Sequence, residues 1–473
     1  MNLTYCKEKD TAILVDEVIS KVKEANEKLN AVVSYCDVKE QLKALENIDK
    51  NAPFYGVPIV LKDNVSTKGT RTTASSRILD NYVPVYDACI VDKLKAAGAI
   101  LIAKSSMDEL GMGGTNLNAY TGKVNNPWDH ERISGGSSGG SAALVAQGVV
   151  PFAIGTDTGD SIRKPASYCG VIGVKPTYGR ISRYGIIPYA SSLDHVGYFT
   201  TNVKDAAKAL EVLAGRDDRD MTSSNKEVEA YAKLLNNDVK GKRIGIIKNV
   251  QKAIQDKAIN ESFDQIVEAL KAKGAIVEEV SFDDDLMNTL LPTYYVISNA
   301  EATANHSNLD GIRFGMREEG NDLEEIMIHS RTKGFSSLVR KRFVIGSYSL
   351  FVENQEKLFR KAQRVRRVIV NSLEDKMKQF DALIASAAGS VAPLPNESFG
   401  ENLNATYLVA ENHMLLGNFS GYPSMTIPAT FCNDLPVGIN IMCKPFEEVE
   451  MFNIAQAIED ITNLQDVTVE VKK

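Results

Sequence analysis

The chain is poor in the residues on which most hydrolytic and metal chemistry relies. Its 473 residues include five histidines, six cysteines and one tryptophan. The histidines (His130, His195, His306, His329 and His413) are scattered, and none lies in a glycine-rich loop. The cysteines (Cys6, Cys36, Cys89, Cys169, Cys432 and Cys443) form no CxxC pair and are too few in so long a chain to be a disulfide framework. They read as reduced, mostly buried thiols of a cytoplasmic protein. Positive charge is short as well, with 54 Lys and Arg against 61 Asp and Glu and a net charge of −7. That excludes the whole chain as a nucleic-acid grip, because phosphate binding needs clustered cations. The one basic run, Arg360–Arg367, reads as the solvated face of a helix. No apolar run approaches the roughly 18 residues of a spanning helix. The N-terminus has no basic leader before an apolar core. Neither a membrane association nor a signal peptide is therefore expected.

What is present is an alternation of amphipathic helices and short apolar strands. Residues 11–29 place Ile13, Leu14, Val18, Ile19, Val22 and Leu29 at helical spacing. Strands are expected at 29–35, 57–61 and 99–104, with helices over 38–47 and 87–97, the latter capped by Asp87 and stopped at Gly98. A helix over 141–147 and an irregular strand over 149–155, interrupted by Pro151, follow. The unit 243–282 has a strand–helix–strand pattern but no GxGxxG loop, so it reads as scaffolding rather than a nucleotide site. Residues 284–380 look mainly helical. A strand at 381–386, a Pro- and Asn-rich loop through 404, a helix over 406–417, strands near 424–431 and 437–443 and a closing helix over 446–461 complete the chain. The reading is α/β, one large domain over 1–473 with a mixed central sheet covered by helices on both faces.

The chemistry concentrates in Ser134–Gly173, where two small-residue loops, Ser134–Ser141 and Thr156–Ser161, flank a helix and a strand. Glycines permit close backbone approach to a ligand. A hydroxyl nucleophile needs a base and an oxyanion site. Ser137, Ser138, Ser141 and Ser161 are the candidate nucleophiles. A distant histidine is one candidate base. A buried lysine that has lost its proton is another, and Lys62 and Lys104, both at strand ends, suit that demand.

GGSSGGSAALVAQG followed by GTDTGDSIRKPA resembles the amidase signature, and Gly56–Asn64 resembles the segment that carries the family's lysine. The resemblance implies a Ser–cis-Ser–Lys triad. Ser161 would be the nucleophile, Ser137 the bridge on a cis Gly136–Ser137 peptide, and Lys62 the base. The 24-residue interval from Ser137 to Ser161 is the family's own and selects Ser137 over Ser138. The backbone N–H groups of Thr158, Gly159, Asp160 and Ser161 would form the oxyanion hole. The catalytic signature core would span about 56–200, with a substrate pocket and scaffold region over about 240–445.

Residues 174–197, 294–315 and 339–348 resemble, within that family, the A subunits of tRNA-dependent amidotransferases. This implies a glutaminase that feeds ammonia to a B subunit. There ATP, with Mg2+, would activate Glu-tRNA(Gln), or Asp-tRNA(Asn), for amidation. A small C subunit would clasp both. The glutaminase would itself bind no cofactor or metal, and mischarged tRNA would be held mainly by the B subunit. Arg342 would grip the α-carboxylate of L-glutamine, Glu411 its α-ammonium, and Tyr294 or Tyr295 would line the pocket. Two positions depart from the family pattern. Asp160 stands where TGGS is usual, and its side chain is expected to turn toward Arg163 or Lys164. Glu411 stands where aspartate is usual. A free-standing amidase for small amides and an assembly component without activity are the competing readings.

Overall fold

Those apolar runs assemble into one eleven-stranded mixed sheet in a computed structural model, which describes residues 1–397 and 405–472. The strands are β1 (Val32–Tyr35), β2 (Pro58–Lys62), β3 (Ile100–Ser105), β4 (Ala153–Asp157), β5 (Ile172–Lys175), β6 (His195–Thr200), β7 (Arg243–Ile247), β8 (Ile276–Val280), β9 (Ala382–Ser386), β10 (Ser424–Cys432) and β11 (Leu435–Cys443). Their spatial order is β1-β3-β2-β4-β6-β5-β10-β11-β9-β7-β8. β2 runs parallel to both β3 and β4, whereas β4, β6, β5, β10, β11 and β9 follow one another antiparallel. β7 is again parallel to β9 and β8. Helices flank the sheet. Side by side and parallel, β2 and β4 deliver Lys62 and Asp157 from their carboxyl ends, the edge where α/β sheets collect ligands.

The helix Thr11–Leu29 starts where the Asp10 carboxylate accepts from Ile13 N (3.1 Å) and ends at Asn30 in the left-handed region. It buries Leu14, Val15, Val18, Val22 and Leu29, while Ile13 is 70% exposed. Four of the six expected positions are thus buried and Ile19 is partly so, with Val15 taking the place of Ile13. The helix expected from Asp87 begins instead at Cys89, because the Asp87 carboxylate is taken by Lys68 N (2.7 Å) and Lys95 Nζ (2.6 Å). β4 starts only at Ala153, so Pro151 precedes the ladder rather than interrupting it. The helix expected over 406–417 is two, Ala405–Asn412 and Leu415–Ser420; Arg163 Nη1 draws off the Met414 carbonyl (2.8 Å) at the break. A helix over Val203–Leu213 packs Val203, Ala206, Leu210 and Leu213 into the core. The end of the Pro- and Asn-rich loop lies outside the described residues. All six cysteines are free, and all but Cys36 are buried. Among the described residues no helix is long and apolar enough to cross a membrane, and no His/Cys/Asp/Glu group is arranged to hold a metal.

Candidate active site

Lys62 ends a wholly buried strand and is itself fully buried. Its Nζ donates to Ser137 Oγ (2.8 Å), Ser138 Oγ (2.7 Å) and the Thr156 carbonyl (3.2 Å). Burial lowers its pKa from 10.5 to about 7, against the pull of Asp108, Asp157 and Asp194. The amine can therefore give up its proton near neutral pH. Lys104 is equally buried but serves the loop that follows β2. It donates to the Val65 carbonyl and to Thr72 Oγ1 (2.8 Å), beside Asp63, and makes no bond to the serines.

The two glycine loops are stitched together by Ser138 N donating to the Ser161 carbonyl (3.1 Å). The Gly136–Ser137 peptide is cis. A Cβ on Gly136 would fall inside the Asp108 carboxylate, with Thr115 N and Asn116 N both 2.8 Å away, so the loop can close only on glycine. Asp108 N in turn holds the Ser137 carbonyl (3.2 Å). The small-residue helix Gly139–Gln147 packs behind the loop, where a Cβ on Gly140 would stand 2.5 Å from the Ser106 carbonyl. Of the four candidate serines, Ser141 is tied up away from the cleft with Ser105 Oγ (2.6 Å) and the Ile154 carbonyl (2.8 Å). Ser138 also donates to the Thr156 carbonyl (3.0 Å). Ser137 Oγ has the lysine alone, and Ser161 Oγ has no hydrogen-bond partner among the described residues. The lysine-to-Ser137 leg of the expected relay is formed, and the Ser137-to-Ser161 leg is open in this conformation. None of the histidines bonds to any of these serines; His195, His329 and His413 are spent on the carbonyls of Leu193, Glu319 and Ala410.

The attacking loop is held from below. Asp157 takes Arg163 Nη2 (2.9 Å) and Nε (3.1 Å), Ile162 N (3.0 Å) and Asn418 Nδ2 (2.9 Å). Arg163 also donates to the Gly159 carbonyl (2.8 Å) and Asn418 Oδ1 (2.6 Å). Burial alone would raise the Asp157 pKa, but the Arg163 guanidinium outweighs it and holds the carboxyl well below the usual range. Thr158 Oγ1 is fixed by Asp194 (2.7 Å). With those anchors, the backbone N–H groups of Thr158, Gly159, Asp160 and Ser161 have no hydrogen-bond partner among the described residues, the condition an oxyanion cradle requires. Arg163→Met would leave Asp157 buried and unpaired. We expect it to lower stability by about 3–5 kcal/mol, seen as a lower denaturation midpoint in urea.

Around the cleft, Arg342 on the helix Ser337–Leu350 donates to Tyr189 OH (2.7 Å) and lies over the Tyr295 ring at 5.2 Å. Tyr294, on the helix Leu290–Asn305, brings its hydroxyl end against Gly159, where a Cβ would be 3.1 Å from Cζ. Glu411 is engaged elsewhere. Its Oε2 accepts from Lys164 Nζ (2.6 Å) and its Oε1 from Gly389 N (2.9 Å), with both side chains almost fully buried. The backbone at Asp160 lies outside the left-handed region, so a non-glycine residue is unstrained there. Lys164 and Arg163 are the cations near its carboxylate, which accepts no hydrogen bond from either of them or from any other described residue. Asp108, Asp157, Asp194, Tyr189 and Asn418 have no counterpart among the residues expected from sequence. Asp108, Asp194, Tyr189 and Asn418 come from segments remote in sequence from the two glycine loops, and Asp157, inside the second loop, acts through Arg163 and Asn418.

A family model described as Amidase matches residues 14–452. The A subunit of a glutamyl-tRNA(Gln) amidotransferase from Lactobacillus delbrueckii subsp. bulgaricus is 41% identical over 450 residues, 94% of this chain and 92% of that one. The protein of the same description from Geobacillus thermodenitrificans is 40% identical over 471 residues, 97% and 96% of the two chains. The crystal structure of the corresponding protein from Thermotoga maritima superposes with a TM-score of 0.81 at 33% identity, covering 99% of this chain and 98% of that one. The chain belongs to the amidase family, among its glutamyl-tRNA(Gln) amidotransferase A subunits.

Proposed function

We propose that this chain is the glutaminase component of a tRNA-dependent amidotransferase, with Ser161, Ser137 and Lys62 as its catalytic residues. The observation that carries the reading is a buried, depressed-pKa Lys62 amine bonded to Ser137 beside a serine loop with four unpaired N–H groups. Neutral Lys62 takes the Ser137 proton as Ser137 takes that of Ser161. The Ser161 oxygen then adds to the side-chain carbonyl carbon of glutamine, and the N–H groups of Thr158, Gly159, Asp160 and Ser161 receive the oxyanion. The proton returns along the same path to the leaving nitrogen and ammonia departs. Water then cleaves the glutamyl ester to glutamate. Arg342, a planar fork beside Tyr294, suits the substrate α-carboxylate.

The ammonia passes to a B subunit, which uses ATP and Mg2+ to activate the mischarged tRNA, and a C subunit completes a cytoplasmic heterotrimer. No cofactor is assigned to this chain. The test is ammonia release from L-glutamine by the chain alone and with both partner subunits, ATP and Glu-tRNA(Gln) or Asp-tRNA(Asn). We expect release stimulated by the complete system. Robust hydrolysis of simple aliphatic amides, indifferent to partners, would make it a free-standing amidase. No release from the complete system would make it an assembly component without activity.

A further inference from the structure

Two of the cations beside the nucleophile loop are matched by carboxylates. Arg163 is matched by Asp157 at 2.9 Å, and Lys164 by Glu411 at 2.6 Å. Arg342 and Asp160, by contrast, have no ion-pair partner among the described residues. Arg342 has only the Tyr189 hydroxyl and the neighbouring aromatic rings. Asp160 is half-buried beside the nucleophile, and its carboxylate has no hydrogen-bond partner among the described residues. A cation and an anion outside any salt bridge, both near Tyr294 and Tyr295, are the complement of a zwitterion.

Asp160 is also in an awkward place. A bare carboxylate next to four N–H groups awaiting an oxyanion repels the charge that develops there. The geometry becomes productive once something positive neutralises it. A cation brought by the substrate does so only for substrates that carry one, which turns the repulsion into a filter.

We propose that Asp160, not Glu411, receives the α-ammonium of an L-α-amino acid amide while Arg342 receives its α-carboxylate, so that simple amides are rejected by the uncompensated carboxylate. This rests on the glutaminase reading and assigns its amino-group subsite. Glu411 then serves to hold Lys164 and the Gly389 turn in place. The groups facing Asp160 are Lys164, Arg163, Asp157 and Glu411, with Tyr294 and Tyr295 also near it. Burial holds the Asp160 carboxyl up at about 7. A proton therefore competes with the ammonium below neutrality, and the filter weakens there.

The experiment compares L-glutamine with glutaramate, the same amide without the amino group, using the full chain assembled with its partner subunits. The ratio of the two kcat/KM values is the readout, because losses common to both substrates cancel. In the parent protein the ratio favours glutamine and declines by up to about tenfold per pH unit below 7. In Asp160→Asn and in Asp160→Gly it falls by about 10- to 100-fold, the loss of a charge-assisted contact, and becomes flat with pH. In Glu411→Gln the ratio stays near the parent value. A parent-like ratio in both Asp160 variants, or a ratio that collapses in Glu411→Gln alone, would overturn the assignment. Glutamine left untouched by the parent complex would overturn the glutaminase reading and this inference with it. Normal glutamine turnover with an insensitive ratio would overturn only the inference.

Discussion

Ser161→Ala is expected to lower glutamine-dependent amidation of tRNA by about 10⁴-fold or more while leaving amidation supported by added ammonium salts within about twofold. The size follows from what the substitution removes. In the proposed mechanism Ser161 supplies the only atom that becomes covalently bound to the substrate, and its neighbours act as one unit with it, so no partial route remains beyond the N–H cradle itself. The sparing of ammonium-driven amidation follows from the proposed division of labour, in which the activated tRNA sits on another subunit. The fold should tolerate the change. Ser161 Oγ makes no hydrogen bond that holds the loop; the loop is held by Arg163, Asp157, Asn418 and the bond from Ser138 N to the Ser161 carbonyl. Quantifying glutaminyl- or asparaginyl-tRNA with each nitrogen source tests both halves. Equal loss with both sources would mean that the synthetase step depends on this serine and would defeat the division of labour.

How far the sequence could lead is uneven, and the reason is physical. Lys62 is legible because an apolar run that ends in Lys-Asp-Asn reads locally as a buried strand feeding a site. Ser137 and Ser161 are legible through a 40-residue pattern of glycines and hydroxyls whose spacing is fixed by one helix and one strand. The supports beneath them are not. Asp157 draws on Asn418, 261 residues away, and Asp108 reaches the Ser137 loop only through tertiary folding. Residue type alone cannot reveal that Lys164 satisfies Glu411, and without that ion pair Glu411 looks like a free anion. The sheet shows the same division. β2 and β3 announce themselves as apolar runs. β6, which contains His195, Gly197 and Thr200, has its place settled by the antiparallel ladders with β4 and β5 rather than by hydropathy.

Lys62→Met and Lys62→Arg should each lower glutamine turnover by about 10³- to 10⁴-fold, yet move stability in different ways. The arginine keeps the charge and cannot give it up, so it fails as a base; methionine has nothing to titrate. In the parent protein, turnover should fall as pH drops through about 7, because protonated Lys62 cannot accept a proton from Ser137. With glutaramate as substrate the fall in kcat/KM should be shallower, since protonation of Asp160 lifts the repulsion as protonation of Lys62 removes the base.

Stability turns on the same pKa. An unfolded chain keeps this lysine protonated up to its ordinary 10.5, and the folded chain only to about 7. Between those values the unfolded state binds more protons, so the contribution to stability rises with pH; below 7 the full burial penalty, roughly 5 kcal/mol, applies. Methionine never has this penalty, though it gives up three hydrogen bonds. The gain of Lys62→Met over the parent should therefore be larger at pH 6 than at pH 10, by an amount that approaches that penalty. Urea denaturation at the two pH values measures this double difference directly. A difference that does not change with pH would mean that Lys62 is charged in the folded protein at both, and the base would have to be sought elsewhere.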